Sequence, residues 1–140
     1  MIILDTNVLS ELLKPSPSRT VLTWFAKQPP LHLFTTTITQ AEILYGLELL
    51  PGGRRRNALH TAIEAIFAED FSGRILPFDS DAARAFPGIV ARRRALGRPI
   101  AQSDAQIAAI AKARNAAVGT RNTADFEHCG VAVVDPWKGG

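Results

Sequence analysis

Short runs of apolar and β-branched residues alternate with longer amphipathic stretches along the whole chain. The short runs are typical of buried strands, and we predict strands at Met1–Leu4, Leu31–Thr36, Arg74–Pro77, Ala117–Gly119 and Val131–Val134. The stretches between them predict helices at Thr6–Leu13, between Ser18 and Pro29, at Thr39–Leu50, Arg54–Phe67, Asp79–Leu96 and Ser103–Arg114, with a helical turn at Asn122–Glu127. Pro87 should kink or split its helix. This alternation predicts one α/β domain with a parallel sheet of about five strands.

Length and cysteine content narrow the class of protein. A chain of 140 residues has the usual size of a single domain and can bury a hydrophobic core without the help of disulfides or structural metal ions. Its one cysteine, Cys129, excludes an internal disulfide and a cysteine-based zinc site, and it fits a reducing cytoplasm. We also expect no signal peptide and no membrane span, because the apolar runs are too short for either.

Arginine dominates the positive charge. Twelve of the 16 basic residues are arginine, and the formal net charge is +3. Six of the arginines form two runs, Arg54–Arg56 and Arg92–Arg94, with Arg98 close to the second. Arginine binds phosphate with two parallel hydrogen bonds, so the runs predict a surface that binds a polyanion. The alternative for each run is a solvated helix face.

Four acidic residues are assigned to four different strand-to-helix junctions of the predicted fold: Asp5, Glu42, Asp104 and Asp125. The carboxyl ends of parallel strands share one edge of a sheet, and ligands bind at that edge. Acids that are distant in sequence can therefore meet in one pocket. Gathered carboxylates repel one another unless a hard divalent cation such as Mg²⁺ or Mn²⁺ neutralises them. The four acids predict a metal site.

Each of the four acids also has a structural alternative. Asp5 suits the N-cap of the first helix, and Asp125 suits a turn. Thr39 and Glu42 fit a capping box, although the apolar neighbours of Glu42 favour its burial. Ser103 is the expected cap of the last long helix, where Asp104 would interact with the helix dipole. The acids indicate function as a set, whereas Asp79 and Asp81 are expected only to cap and stabilise their helix.

Four spaced segments resemble the motifs of PIN-domain ribonucleases, in order and across nearly the whole chain: Ile3–Leu9, Thr37–Gly46, Ser103–Ala109 and Thr120–Phe126. Within that family the chain resembles the VapC-type toxins of bacterial toxin–antitoxin pairs. The segments Gly73–Asp79 and Val133–Trp137 are similar to the FitB-like branch. The resemblance implies one PIN-like domain over residues 1–140, with three layers and a mostly parallel central sheet flanked by helices.

The resemblance further implies a Mg²⁺- or Mn²⁺-dependent endoribonuclease that forms a homodimer and is silenced by a cognate antitoxin. Asp5, Glu42 and Asp104 would then be catalytic and bind the metal, with Asp125 as the fourth acid. Substrate-positioning roles follow for Thr6, Asn7, Thr120 and Asn122. RNA phosphates would be held by Arg54, Arg55, Arg56, Arg92, Arg93 and Arg94.

Two other classes of protein stay open at this point. A catalytically idle PIN-fold module that works with an antitoxin would not need all four acids, and all four are present. A phosphoacceptor domain would need a lysine near its acids. The four lysines, Lys14, Lys27, Lys112 and Lys138, do not follow strands.

Overall fold

Five parallel strands form the centre of the computed structural model, which describes residues 1–140. The strands are β1 (Ile2–Leu4), β2 (Leu33–Thr36), β3 (Ile75–Leu76), β4 (Ala117–Gly119) and β5 (Val133–Val134), in the spatial order β3-β2-β1-β4-β5. Ile3 of β1 lies opposite Phe34 of β2 and Val118 of β4. β1 is therefore the central strand, and the residue that follows it, Asp5, lies in the middle of the carboxyl edge.

Six helices cover the sheet: α1 (Thr6–Leu12), α2 (Arg19–Lys27), α3 (Thr37–Glu48), α4 (Arg54–Ala65), α5 (Ser80–Ala95) and α6 (Gln102–Ala113). Shorter helical turns lie at Pro30–His32, Ile66–Asp70, Thr123–Phe126 and Pro136–Lys138. No helix combines the length and the apolar character needed to cross a bilayer. The predicted alternation of strand and helix is confirmed.

The helices divide into two layers with separate cores. Ile3 packs in a cluster with residues of α5 and α6, whereas Leu4 packs in a second cluster with residues of α1 to α4. Successive side chains of a strand point to opposite faces, so β1 contributes one residue to each cluster. Both residues are fully buried. The three-layer arrangement is thereby confirmed.

Several predicted boundaries were wrong. α3 begins at Thr37, because Thr36 is its N-cap and accepts a hydrogen bond from the Thr39 backbone N–H at 3.1 Å. α6 begins at Gln102, and its N-cap, Ala101, makes no side-chain hydrogen bond. α5 continues unbroken through Pro87. Proline removes one backbone donor there, and the buried residues Ala82 and Ile89 hold the two parts of the helix on the core.

Candidate active site

Asp5 joins the central strand to α1 and faces the carboxyl edge of the sheet. It is the N-cap of α1, and its Oδ1 accepts a hydrogen bond from the Thr6 backbone N–H at 2.8 Å. Its Oδ2 accepts hydrogen bonds from Thr120 Oγ1 at 2.9 Å and Asn7 Nδ2 at 3.1 Å. The side chain is only slightly exposed, and burial raises the pKa of its carboxyl above the ordinary value. Capping and a site role therefore coexist at Asp5.

Asn7, Thr120 and Asn122 form a hydrogen-bonded network around Asp5. The Thr120 hydroxyl accepts from Asn7 Nδ2 at 3.2 Å and from the Asn122 backbone N–H at 3.1 Å. Asn7 Oδ1 accepts from the Arg121 backbone N–H at 3.1 Å. Thr120 is fully buried, so the prediction that it contacts substrate was wrong. It holds Asp5 from behind, whereas Asn7 and Asn122 lie on the wall of the cavity.

Glu42 reaches the site from the second turn of α3. Its Oε1 accepts a hydrogen bond from Thr6 Oγ1 at 2.8 Å, and Thr6 Oγ1 lies 3.1 Å from Thr39 Oγ1. The capping box expected for Thr39 and Glu42 is absent, because Thr36 caps the helix. The expected burial of Glu42 was also wrong, since its side chain is exposed. A carboxylate that is not used as a cap is available to a ligand.

Asp104 lies in the first turn of α6 and is half-buried, and no protein hydrogen bond reaches its carboxylate. Burial is the main reason that its pKa is raised to about 6. The negative charges of Asp5, Asp125 and Glu42 act in the same direction, and the positive charge of Arg93 opposes them. The expected cap, Ser103, instead lies inside the helix.

Asp125 lies in the helical turn Thr123–Phe126 that follows β4. Its side chain is exposed and lines the same cavity as Asp5, Glu42 and Asp104. Its charge raises the pKa values of both Asp5 and Asp104. The fold therefore brings together all four acids that the sequence singled out.

The shared cavity has a volume of about 470 Å³ and includes residues that the sequence reasoning missed. Glu11 is buried on its wall and accepts hydrogen bonds from Lys14 Nζ and from the Ser18 backbone N–H, both at 2.9 Å. These hydrogen bonds hold the pKa of Glu11 below its ordinary value. The Arg121 guanidinium lies 5.1 Å from the centre of the Trp137 ring. The three-residue spacing of Glu11 and Lys14 was the one available signal for their pairing.

The donor set suits a hard divalent cation that keeps part of its water shell. No three acidic, histidine or cysteine side chains converge closely enough to hold a metal ion by themselves. Mg²⁺ is usually bound through only one or two carboxylates and retains several waters. Asp104 has no competing hydrogen-bond donor, and Asp5 uses three of its roughly four acceptor positions. The residues present therefore fit a water-rich ion better than a closed protein cage.

The family of the chain follows from its comparison with known proteins. The sequence model of the PIN-domain family matches residues 2–131 of this chain. The chain belongs to the PIN-domain family. A VapC ribonuclease of Sinorhizobium fredii, Y4jK, is 41% identical over 138 residues, which are 99% of each chain. The toxin FitB of Neisseria gonorrhoeae is 40% identical and covers 98% of this chain and 99% of its own.

The fold of this PIN domain agrees with a solved structure. The crystal structure of FitAcB from Neisseria gonorrhoeae has a TM-score of 0.91 and 40% sequence identity, and it covers 98% of this chain and 99% of that chain. The resemblance to the VapC-type toxins and to the FitB-like branch, the latter indicated by the segments Gly73–Asp79 and Val133–Trp137, is confirmed.

The arginines within each of the two runs differ in their exposure to solvent. Arg54, Arg55, Arg92 and Arg94 are exposed. Arg56 is half-buried and donates to the Leu50 carbonyl at 2.8 Å, next to Glu48. Arg93 is only 4% exposed. The prediction that Arg93 contacts RNA was wrong. Arg92, Arg93 and Arg94 are successive residues of a helix, and the side chain of Arg93 is the one that points towards the core.

Arg93 instead fixes the loop that carries Asp125. Its Nη1 donates to the carbonyls of Asp125 at 2.7 Å and Glu127 at 3.1 Å. Its Nε donates to the Arg98 carbonyl at 2.7 Å. Because hydrogen bonds from a charged group are strong in a buried setting, this side chain ties α5 to the turn beside the acids.

The hydrogen bonds of Arg93 predict a large loss of stability when its side chain is truncated. Arg93→Gln should lower the free energy of unfolding by about 2–5 kcal/mol, because three carbonyls lose a charged donor. Arg94→Gln, the exposed neighbour, should change it by less than about 0.5 kcal/mol. Urea unfolding of both variants measures this difference. Equal stabilities would show that Arg93 does not anchor the loop.

The raised pKa values predict a pH-dependent stability of the metal-free protein. A carboxyl with a folded-state pKa near 6 and an unfolded value of about 4 stabilises the fold fully below pH ~4, and this contribution is lost as the pH rises through 6. The melting temperature in EDTA should therefore fall over this range. Asp104→Asn should flatten the fall and melt higher than wild type at pH ~7.5.

Asp81→Asn is the matched control for these melts, because Asp81 is exposed and paired with Arg84 outside the cavity. It should leave the wild-type profile unchanged. A wild-type profile for Asp104→Asn would mean that the acids do not interact as described.

Proposed function

We propose that this protein is a metal-dependent endoribonuclease that acts as the toxin of a toxin–antitoxin pair. The observation that carries the proposal is the meeting of four acids from separate parts of the chain in one cavity, where burial and mutual repulsion raise the pKa of Asp104 to about 6. Perturbed carboxyls in a cleft are typical of catalytic sites. The names of the relatives, a VapC ribonuclease and the toxin FitB, support the same function.

Mg²⁺ or Mn²⁺ is the proposed cofactor. Asp5 and Asp104 would bind the ion directly, and Glu42 and Asp125 would bind its waters. A bound ion of this kind lowers the pKa of a coordinated water and offsets negative charge on a phosphate. The hydrogen bonds from Thr6, Asn7 and Thr120 keep the acids in place, since each donates to Asp5 or Glu42.

Substrate binding would use the polar and cationic side of the same cavity. Asn122 and Arg121 are exposed and lie on its wall. Arg121 supplies a positive charge for a phosphate next to the cleaved bond, and its stacking on Trp137 restricts its position. Arg54, Arg55, Arg92 and Arg94 remain proposed contacts with more distant phosphates. Such contacts position RNA without reading its sequence.

An antitoxin is the proposed partner, because a nuclease that cleaves the RNA of its own cell has to be held inactive. A groove of about 720 Å³ between α1, α3 and α4 opens beside the acid cavity, and Thr6, Lys14 and Glu42 line both. The groove is largely apolar, with walls that include Leu13, Ile43, Leu47, Leu50, Leu59 and Ile63. A segment bound there could cover the acids. The reducing cytoplasm is the proposed compartment.

The two alternative classes have weaker support. An idle binding module has no need for four acids that destabilise one another. A phosphoacceptor would use a free lysine beside its acids, and Lys14 does line the cavity. Lys14 is paired with Glu11 at 2.9 Å, however, and the chain belongs to the PIN-domain family.

The catalytic proposal predicts a large loss of activity in two variants. Asp5→Asn and Asp104→Asn should each lower the rate of RNA cleavage in Mg²⁺ at least about 100-fold, because charge stabilisation by a metal contributes several kcal/mol. Asp81→Asn should cleave like wild type, since Asp81 lies outside the cavity and pairs with Arg84. Cleavage of a labelled RNA measures all three. Wild-type rates in Asp5→Asn or Asp104→Asn would refute the assignment.

Exposed apolar side chains in the second half of α3 and at its C-cap, Leu49, predict a homodimer. Tyr45 and Leu49 are both 66% exposed, and Leu44 is 40% exposed. Adjacent exposed apolar groups of this size are typical of an interface. Light scattering at micromolar concentration should show a dimer for wild type and a monomer for the double variant Tyr45→Lys, Leu49→Lys.

Leu31→Lys serves as the control for the dimer, because Leu31 is 75% exposed but lies in the turn before β2. It should remain dimeric. A monomeric wild type, or a double variant that stays dimeric, would contradict the proposed interface.

A further inference from the structure

A third cavity lies between α5, α6 and the turn before β5. Its volume is about 300 Å³, and its walls include Arg92 of α5, Lys112 of α6 and His128 of the turn. Gly88, Cys129 and Gly130 complete most of the lining, and no acidic residue contributes to it. Three groups that can carry a positive charge therefore face one small space.

The positive charge in this cavity has no partner within the protein. Three other arginines of this region are paired: Arg84 with Asp81, Arg98 with Glu127 at 2.7 Å, and Arg114 with Asp79 at 3.6 Å. Arg93 is satisfied by backbone carbonyls. Arg92, Lys112 and His128 take part in none of the ion pairs, and their side chains make no hydrogen bond. Nearby acids therefore neutralise Arg84, Arg98 and Arg114, but no acid neutralises the positive charge in this cavity.

The turn at 128–130 gives the cavity a defined shape. His128 and Gly130 both adopt left-handed backbone conformations, with φ values of 61° and 75°. The Lys112 side chain lies over the turn, so a methyl group added at Gly130 would stand 3.3 Å from Lys112 Nζ. Between them, Cys129 is buried, and its sulfur lies 3.8 Å from Arg93 Nη1. The turn thus carries His128 and supports the Lys112 side chain, while Arg92 reaches the cavity from α5.

The same contacts connect the cavity to the acid cluster. Arg93 Nη1, which approaches Cys129 on one side, donates to the Asp125 carbonyl on the other. Lys112 follows Asp104 by eight residues on α6, an axial distance of roughly 12 Å at 1.5 Å per residue. A stacked strand rises about 3.4 Å per nucleotide, so this distance corresponds to a few nucleotides.

We propose that this cavity, defined by Arg92, Lys112 and His128, binds a backbone phosphate of the RNA a few nucleotides from the cleaved bond. The inference rests on the proposed ribonuclease function and adds a second contact point to it. The planar guanidinium of Arg92 can donate hydrogen bonds to two phosphate oxygens at once, and the ammonium group of Lys112 adds a second positive charge. The absence of acids on the walls favours an anion over a basic peptide. The site holds the strand in register and reads no base.

The test is the salt dependence of RNA binding. Binding of a labelled single-stranded oligoribonucleotide of mixed sequence is followed by fluorescence anisotropy in EDTA, over a series of KCl concentrations. Each lost phosphate contact on a single strand should reduce the slope of log K against log salt by roughly 0.7. The double variant Arg92→Gln, Lys112→Gln removes the one phosphate contact of the cavity and should therefore lose about 0.7 units of slope. Lys112→Glu, which places a carboxylate in the cavity, should weaken binding further than Lys112→Gln.

The matched control is Arg19→Gln, Lys27→Gln, which removes the same charge from exposed positions of α2. It should keep the wild-type slope. A cavity variant with the wild-type slope, or a control that loses as much slope as the cavity variant, would overturn the site. Loss of antitoxin binding with an unchanged RNA slope would also overturn it, because the cavity would then hold a protein partner.

A cleavage assay separates this inference from the function on which it rests. If wild type cleaves the oligoribonucleotide in Mn²⁺ while the cavity variant keeps the wild-type slope, only the phosphate site is wrong. If wild type binds the RNA but cleaves no RNA in Mg²⁺ or Mn²⁺, the ribonuclease proposal fails. The cavity variant should retain the wild-type melting temperature, since both replaced side chains are exposed.

Discussion

A buried carboxylate at the end of the central strand is the constraint on which the site depends. Asp5 loses most of its hydration, and a charge in that position is costly without partners. The chain supplies three donors from three places: the Thr6 backbone N–H, Asn7 and Thr120. These hydrogen bonds join β1, α1 and the end of β4, so the donors that stabilise Asp5 also fix the geometry of the carboxyl edge. Repulsion from Glu42 and Asp125 acts against this stabilisation.

Positive charge is distributed so that it supports the acids without neutralising them. Arg93 lies behind the cluster, opposes the rise in the pKa of Asp104 and holds the Asp125 turn through backbone carbonyls. None of the six ion pairs includes Asp5, Glu42, Asp104 or Asp125. A cluster left with uncompensated negative charge and raised pKa values is ready to bind a cation. Repulsion among these acids lowers the stability of the metal-free protein. An ion that binds only the native fold would raise that stability again.

The fold and the four acids could be predicted because both depend on local pattern. Strand ends lie on one edge in any parallel sheet, so Asp5 and Asp125, which follow β1 and β4, could be placed together without knowing their contacts. The prediction that Asp104 lies at a junction of strand and helix was wrong, because α6 follows α5. Asp104 lies at the same edge since the end of α6 leads into the start of β4. The errors have a different origin. Arg92, Arg93 and Arg94 lie about 100° apart around α5, and only the loop around Glu127 decides that Arg93 is the buried one. The burial of Thr120 likewise depends on its contact with Asp5, 115 residues away. Such long-range contacts leave no periodic signal.

The central claim is that the acids form one cation site, and calorimetric titration of Mn²⁺ into metal-free protein tests it most directly. Wild type should bind Mn²⁺ at pH ~7.5 and more weakly at pH ~5, where protons compete for a carboxyl whose pKa is about 6. Asp104→Asn should bind at least about tenfold more weakly at pH ~7.5, a difference of about 1.4 kcal/mol or more, and should lose most of the pH dependence. Equal Mn²⁺ affinity in wild type and Asp104→Asn, or no binding by wild type, would contradict the account.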